Sequence, residues 1–234
     1  MSRRRRHDFT ADETADLLVA LDQRLQDRGV SASVFIVGGA AIAATGVRRD
    51  RITQDVDALT RDQAVLEEAK SLARERGLPE NWLNPAATMW MPPLPEGVLD
   101  KPPGPGLRVT YADDGFLFAN KLLAQRAKDA EDVVALAKRL GLASATPEQL
   151  EDHIRNYYTD EAMLEFILSG DDVDTEIALL AQDASRMLNR TSAADRTGHA
   201  TDASQGRLRR SMESERRQPP SMTTEPWPDL GRDL

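Results

Sequence analysis

The sequence predicts an α/β fold: a small mixed sheet flanked by helices, then a helical C-terminal segment and a disordered tail. Three observations carry this. Short apolar runs alternate with stretches whose leucines and alanines recur at helical spacing as far as Ala112. From Asp114 onward the helical spacing continues with no further strand-like run. After about Arg190, Ser, Thr, Arg, Pro, Gly and acids dominate and apolar periodicity stops. Such a composition buries too little surface to offset its ordering entropy.

Each element has a local reason. Leu17, Leu18, Leu21 and Leu25 lie on one helical face within Thr10–Asp27, with Thr10 as N-cap before Asp12 and Glu13, and Gly29 as terminator. Val34–Val37 reads as a buried strand, Ala40–Thr45 as a small-residue helix stopped by Gly46, and Ile52–Leu59 as a second strand. A helix opens at Arg61 or Asp62, runs to about Arg76 and stops at Gly77. Residues 78–106 contain eight prolines, from Pro79 to Pro105, which forbid a long regular element. Trp82, Met89 and Trp90 in this stretch are expected to pack over the sheet or line a substrate entrance. LRVTYA, Leu107–Ala112, alternates as a third strand. Helices follow at Phe116–Arg126, Asp129–Leu140, from Thr146-Pro147 (N-cap and first helical position), at Asp160–Leu168 and at Asp172–Leu188. The chain then divides into a basic disordered arm (1–9), a first domain (10–142), an acidic helical segment packed on it (143–189) and the tail (190–234).

Composition narrows the function classes. The chain has no Cys, which removes disulfides, thiol catalysis and zinc–thiolate sites and suits the cytoplasm. No apolar run approaches the roughly 20 residues of a membrane span, so no membrane partner is expected. MSRRRRHDF lacks the apolar stretch of a secretory signal. Arg3–Arg6 reads as a solvated arm able to hold nucleic acid weakly through phosphates, but the formal net charge of -9 disfavours a general nucleic-acid binder. His7, His153 and His199 have no partner pattern, and Trp227 is a lone apolar residue in the tail.

The chemistry concentrates in VFIVGGAAIAATGVRRDRITQDVDAL, residues 34–59. Asp55 and Asp57 stand two apart in an apolar run, so on a strand they project side by side while Val56 points into the core. Adjacent carboxylates repel unless a cation lies between them, and Mg²⁺ favours carboxylate oxygens together with nucleotide phosphates. Gly38-Gly39 lets backbone N–H groups approach a phosphate closely at the mouth of a helix. The ordinary alternative is two strand-end acids facing solvent. Buried flanking residues weigh against it, because unpaired acids are costly there.

These residues, with NKLLAQRAKDAEDVVAL further on, resemble the minimal nucleotidyltransferases of the DNA polymerase β-like superfamily, in the bacterial branch of AbiEii/MenT-type toxins and related nucleotidyltransferases. The match spans roughly Val34 to Gly141. Its specificity lies in the order Gly-Gly, Arg-x-Thr-x-Asp-x-Asp, Lys-x-x-Ala-x-Arg-x-x-Asp-x-x-Asp. The resemblance implies a nucleotidyltransferase fold and the transfer of an NMP from an NTP to an acceptor. It implies Asp55 and Asp57 as ligands of Mg²⁺ or Mn²⁺, and Gly38 and Gly39 as holders of the phosphates. Lys121 would contact the triphosphate, and Arg51 and Thr53 match the segment before the acidic pair. Arg126, Asp129 and Asp132 match a segment whose late Asp is linked to activity or nucleotide positioning. The plainer readings are a surface lysine at 121, an N-cap at Asp129, an Arg126 that pairs with Asp129 or Asp132, and strand filler at Thr53. The superfamily often adds a third carboxylate on a later strand; here only Asp113 and Asp114 stand at the end of LRVTYA.

Two functions remain open on the sequence. One is an enzyme whose acceptor is a tRNA, a protein or a small molecule, acting as the toxin of a toxin–antitoxin or phage-defence pair with a cognate antitoxin. The acidic surface of 147–188 argues against a large RNA acceptor. The basic arm and Arg207, Arg209, Arg210, Arg216 and Arg217 argue for one. The other is a non-catalytic nucleotide- or partner-binding protein that keeps the fold.

Overall fold

In the order of the chain the elements are α1 (Ala11–Asp27), β1 (Ser31–Ile36), α2 (Gly38–Ala44), β2 (Val56–Leu59), α3 (Gln63–Arg76), β3 (Leu83–Asn84), β4 (Gly106–Tyr111), α4 (Asp114–Ala124), α5 (Ala130–Arg139), α6 (Pro147–Tyr157), α7 (Glu161–Ile167) and α8 (Val173–Arg216). This computed structural model describes residues 7–85, 90–168 and 172–216, with side chains as far as residue 194. The chain divides after Ser192 into two compact units. Of the second, the described part is the helical backbone of α8 as far as Arg216. Regular backbone thus runs past the point where apolar periodicity ends. The segment 193–216 contains no proline, so nothing in it removes the N–H groups a helix needs. Met89 and Trp227 lie outside the described residues.

The fold is mixed α/β. Four strands form one sheet in the order β3-β2-β1-β4. β1 pairs with β4 in parallel, from Ser31 opposite Gly106 to Ile36 opposite Tyr111, and with β2 antiparallel, Phe35 opposite Leu59. β1 is central and buried from Ala32 to Ile36, which accounts for its continuous apolar reading. Helix α1 starts with a reciprocal capping box: the Thr10 hydroxyl accepts from the Glu13 N–H (3.2 Å) and the Glu13 carboxylate accepts from the Thr10 N–H (2.9 Å). Its leucines at 17, 18, 21 and 25 are buried in the core. Helix α4 reaches the sheet through an edge contact between Phe116 and Phe35, ring centres 5.4 Å apart. Leu150, Ile154, Leu164, Ile177, Ala181, Ala184 and Leu188 enter the same core, so α6, α7 and the first turns of α8 close over it. Within α8 the buried apolar residues follow steps of four, three and four, the stripe of an amphipathic helix.

Two predicted elements are corrected. The second strand is shorter than Ile52–Leu59. It begins at Val56, and before it Thr53 makes only an isolated bridge to Phe9. Two backbone hydrogen bonds with Phe9 draw the chain aside at Thr53, and the Thr53 hydroxyl donates to the Asp55 carbonyl (2.8 Å), so Asp55 sits in a bend instead of on the strand. The proline-rich stretch 78–106 also contains an edge strand, β3, parallel to β2 with Asn84 opposite Asp57. The buried Trp82 anchors it, its indole N–H donating to the Ala69 carbonyl of α3 (2.9 Å). Trp90 is exposed.

Candidate active site

The site is built where β1 ends. The Val37 N–H donates to the Asp57 carbonyl (2.9 Å), which continues the β1–β2 pairing by one residue and sets the glycine turn against β2. Gly38 then takes φ +63°, a left-handed conformation that L side chains rarely adopt. A Cβ on Gly38 would lie 2.7 Å from an Asp57 carboxylate oxygen, so the backbone and that carboxylate are in direct contact. Gly39 is nearly as constrained, since a Cβ there would meet the Thr53 hydroxyl at 3.1 Å and the Arg51 guanidinium at 3.4 Å. Gly38, Gly39, Arg51, Thr53 and Asp57 are therefore gathered in one place. Gly38→Ala is expected to lower stability by about 1–3 kcal/mol, from left-handed strain plus displacement of Asp57, as urea unfolding would measure. Gly29→Ala, left-handed but with open space around it, should cost less, strain alone.

Asp55 and Asp57 are both half-buried but face different surroundings. Asp55 accepts from the Asn84 side-chain amide (3.0 Å) and lines a large cleft toward β3 and the end of α3. Asp57 faces Gly38. Burial raises its carboxyl pKa to about 6, and the neighbouring Asp55 charge adds to the rise. Arg126, Lys128 and Lys121 act in the opposite direction, so all three cations stand within electrostatic reach of Asp57. Arg126 and Lys128 are exposed and have no ion-pair partner among the described residues.

Lys121 is not a surface lysine. It is 5% exposed, and its ammonium lies 3.0 Å from both Asp129 and Asp132. Asp132, fully buried, also accepts from Arg48 (2.8 Å) and Arg51 (3.1 Å). Arg48 bridges outward to Glu131 at 2.6 Å. Burial alone would raise the Asp132 carboxyl, but Lys121, Arg51 and Arg48 hold it below the ordinary range. Asp129 makes no N-cap bond; its carboxylate is spent on Lys121. Asp132 therefore clasps the loop between α2 and β2 to helices α4 and α5.

The two acids after β4 have other duties. Asp113 caps α4, accepting from the Phe116 N–H (2.8 Å), and accepts the Tyr157 hydroxyl. Asp114 pairs with Arg139 at 2.8 Å. Among the described residues no group of three or more acidic or histidine side chains is placed to hold a metal. The carboxylates offered are Asp55 and Asp57, close enough for the Asp55 charge to act on Asp57, and their oxygens are of the kind a hard divalent cation takes together with ligand oxygens.

Comparison with protein-family models, with curated proteins and with solved structures gives no match to this chain.

Three site residues escape a reading of the sequence. Asn84 lies on a two-residue strand with no periodicity to reveal it, and Lys128 is one cation among several in a polar turn. Arg48 sits in the run RRDR, where only the fold singles out the arginines that reach Asp132. Among the described residues no helix is long and apolar enough to cross a membrane.

Proposed function

We propose that the chain is a metal-dependent nucleotidyltransferase of the DNA polymerase β-like kind, moving an NMP from an NTP to an acceptor. The observation that carries the reading is the Gly38 turn laid against the Asp57 carboxylate, with Asp55 two residues away and the unpaired Arg126 and Lys128 nearby. Backbone N–H groups, a carboxylate pair and free cations answer the three needs of a triphosphate: close approach, a metal site and charge neutralisation.

Asp55 and Asp57 would hold Mg²⁺ or Mn²⁺, which when bound neutralises phosphate charge and favours displacement at the α-phosphorus. Gly38 and Gly39, which pack without side chains against Asp57, Thr53 and Arg51, would present their backbone N–H groups to the phosphates. Arg126 and Lys128 attract the polyphosphate and stabilise the charge that develops on the leaving pyrophosphate. Lys121 contributes positive potential from a fixed position, because Asp129 and Asp132 hold it. Asn84 orients Asp55.

A second reading, a non-catalytic nucleotide- or partner-binding protein with this fold, is favoured by one observation. Lys121 and Asp132 are committed to a buried ion network, and neither Asp113 nor Asp114 is spare.

Thermal unfolding with each NTP tests the enzyme reading. NTP should raise Tm only with Mg²⁺ or Mn²⁺, and Asp55→Asn should abolish the increment. Arg126→Ala should raise KM for NTP roughly tenfold and leave stability within about 0.5 kcal/mol, since no ion pair is lost. A toxin role predicts growth arrest on expression that Asp55→Asn relieves. NTP stabilisation indifferent to metal and to Asp55→Asn would leave the second reading.

A further inference from the structure

Beside Asp55 the surface opens into a cleft of about 1310 Å³, bounded by α3, the turn after it, β3 and the bend before β2. Of the carboxylate pair and the two glycines, only Asp55 belongs to its wall. Among the described residues the charged side chains of the wall are two acids, Asp55 and Glu80, and one lysine, Lys70. Gln54, Asn81 and Asn84 add three amides, and Leu66, Leu78 and Leu83 supply apolar area. Arg126, Lys128 and Lys121, the cations acting on Asp57, are absent from this wall. The bend that takes Asp55 off the strand thus separates two surfaces. The Asp57 side is cationic and glycine-lined. The Asp55 side is amide-rich and slightly acidic.

Resting on the nucleotidyltransferase reading, we propose that the Asp55 cleft is the acceptor site and that it takes a phosphate-free polyol, uncharged or amine-bearing. A polyanion needs several Lys or Arg to replace its counterions, and one lysine facing two acids does not supply them. Carboxamides and carboxylates side by side offer the paired donors and acceptors that hydroxyls require, and carboxylates also hold amines. The volume exceeds the usual ~300–1,000 Å³ of small-molecule sites, which leaves room for more than one sugar-sized ring. One acceptor hydroxyl oxygen forms a bond to the α-phosphorus and releases its proton to water. The bond between that phosphorus and the bridging oxygen breaks, its electron pair leaving with pyrophosphate. The products are a nucleotidyl ester of the polyol and pyrophosphate.

The opposing candidate is RNA, because Arg3–Arg6 directly precede His7, a residue of the cleft wall. The test incubates the full chain with α-³²P-labelled NTPs, Mg²⁺ and three fractions of a bacterial lysate: low-molecular-mass solutes, RNA and protein. The low-mass fraction is treated with phosphatase and passed over an anion exchanger first, so that only uncharged and cationic solutes remain. Label should appear in that fraction alone. Asn81→Trp, which fills the cleft from an exposed position, should reduce it at least roughly tenfold by misplacing the acceptor, while the metal-dependent Tm shift with NTP is unchanged. Label on RNA or protein, label insensitive to Asn81→Trp, or no label in any fraction despite an intact Tm shift would each overturn the assignment. Loss of the Tm shift in the wild type would instead remove the nucleotidyltransferase reading beneath it.

Discussion

Asp132→Asn is expected to destabilise the fold by about 3–5 kcal/mol, the cost of removing one partner from a buried ion cluster. The carboxylate is fully buried and receives Lys121, Arg48 and Arg51 at 2.8–3.1 Å. Asparagine keeps the size but leaves three cations with only Asp129 and the exposed Glu131 and Asp50 to answer them. Urea unfolding would measure the loss, and the pH dependence would identify its origin. The folded pKa of Asp132 lies below its unfolded value, so its contribution is complete above roughly pH 4 and fades as pH falls through the folded pKa. Wild type and variant should therefore converge in acid and separate above it. Equal stability at pH 7 would remove the cluster from the account of the fold. Because the same carboxylate holds Arg51 against the Gly39 turn, the variant should also lose NTP binding at temperatures where it remains folded.

Asp57→Asn is expected to act in the reverse sense on stability while abolishing transfer. Burial and the Asp55 charge raise the Asp57 pKa to about 6, above its unfolded value. The stabilisation from protonating it is fully present below about pH 4 and is lost as pH rises through about 6. At pH 7.5 the ionised carboxylate is a net cost, and asparagine removes it. The variant should be more stable than wild type by about 1–2 kcal/mol at pH 7.5 and equal to it near pH 4, discounting a shift of about two units for partial exposure. Mg²⁺ should stabilise the wild type at pH 7.5, do so less at pH 5.5 where Asp57 is protonated, and leave Asp57→Asn unaffected. Nucleotide transfer should fall by at least about a hundredfold in the variant, as for loss of a group that acts on developing charge. A variant less stable than wild type at pH 7.5 would show that Asp57 is an ordinary structural acid.

Much of this arrangement is legible in the sequence where local chemistry determines it. The Thr10 N-cap, the left-handed Gly77 that ends α3 and the proline at the start of α6 each act within a few residues of themselves. The Gly38-Gly39 turn is legible for the same reason, since glycine has few ordinary uses there; of the two acids read as strand neighbours, only Asp57 lies on the strand. What was not legible depends on distant partners. Lys121 reads as a triphosphate contact or as a surface lysine, and neither reading contains its burial between Asp129 and Asp132. The divergence of Asp55 from Asp57 depends on Phe9 capturing Thr53, a contact between residues 44 positions apart that alternation along a strand does not encode. Asn84 lies on a strand held by Trp82 and not by its own pattern.

The clasp on Asp132 also has a consequence for the order in which the molecule comes to life. Its two arginines are 84 and 81 positions away along the chain. Closing loops of that length is slow compared with forming the capped helices, which depend on neighbours alone. The glycine turn and both carboxylates leave the ribosome well before helix α5 does, so a nascent chain carries the turn without the carboxylate that fixes Arg51 against it. The final setting of the Gly39 turn would then come late, as one event with completion of the core, and its geometry would serve as a readout of finished folding.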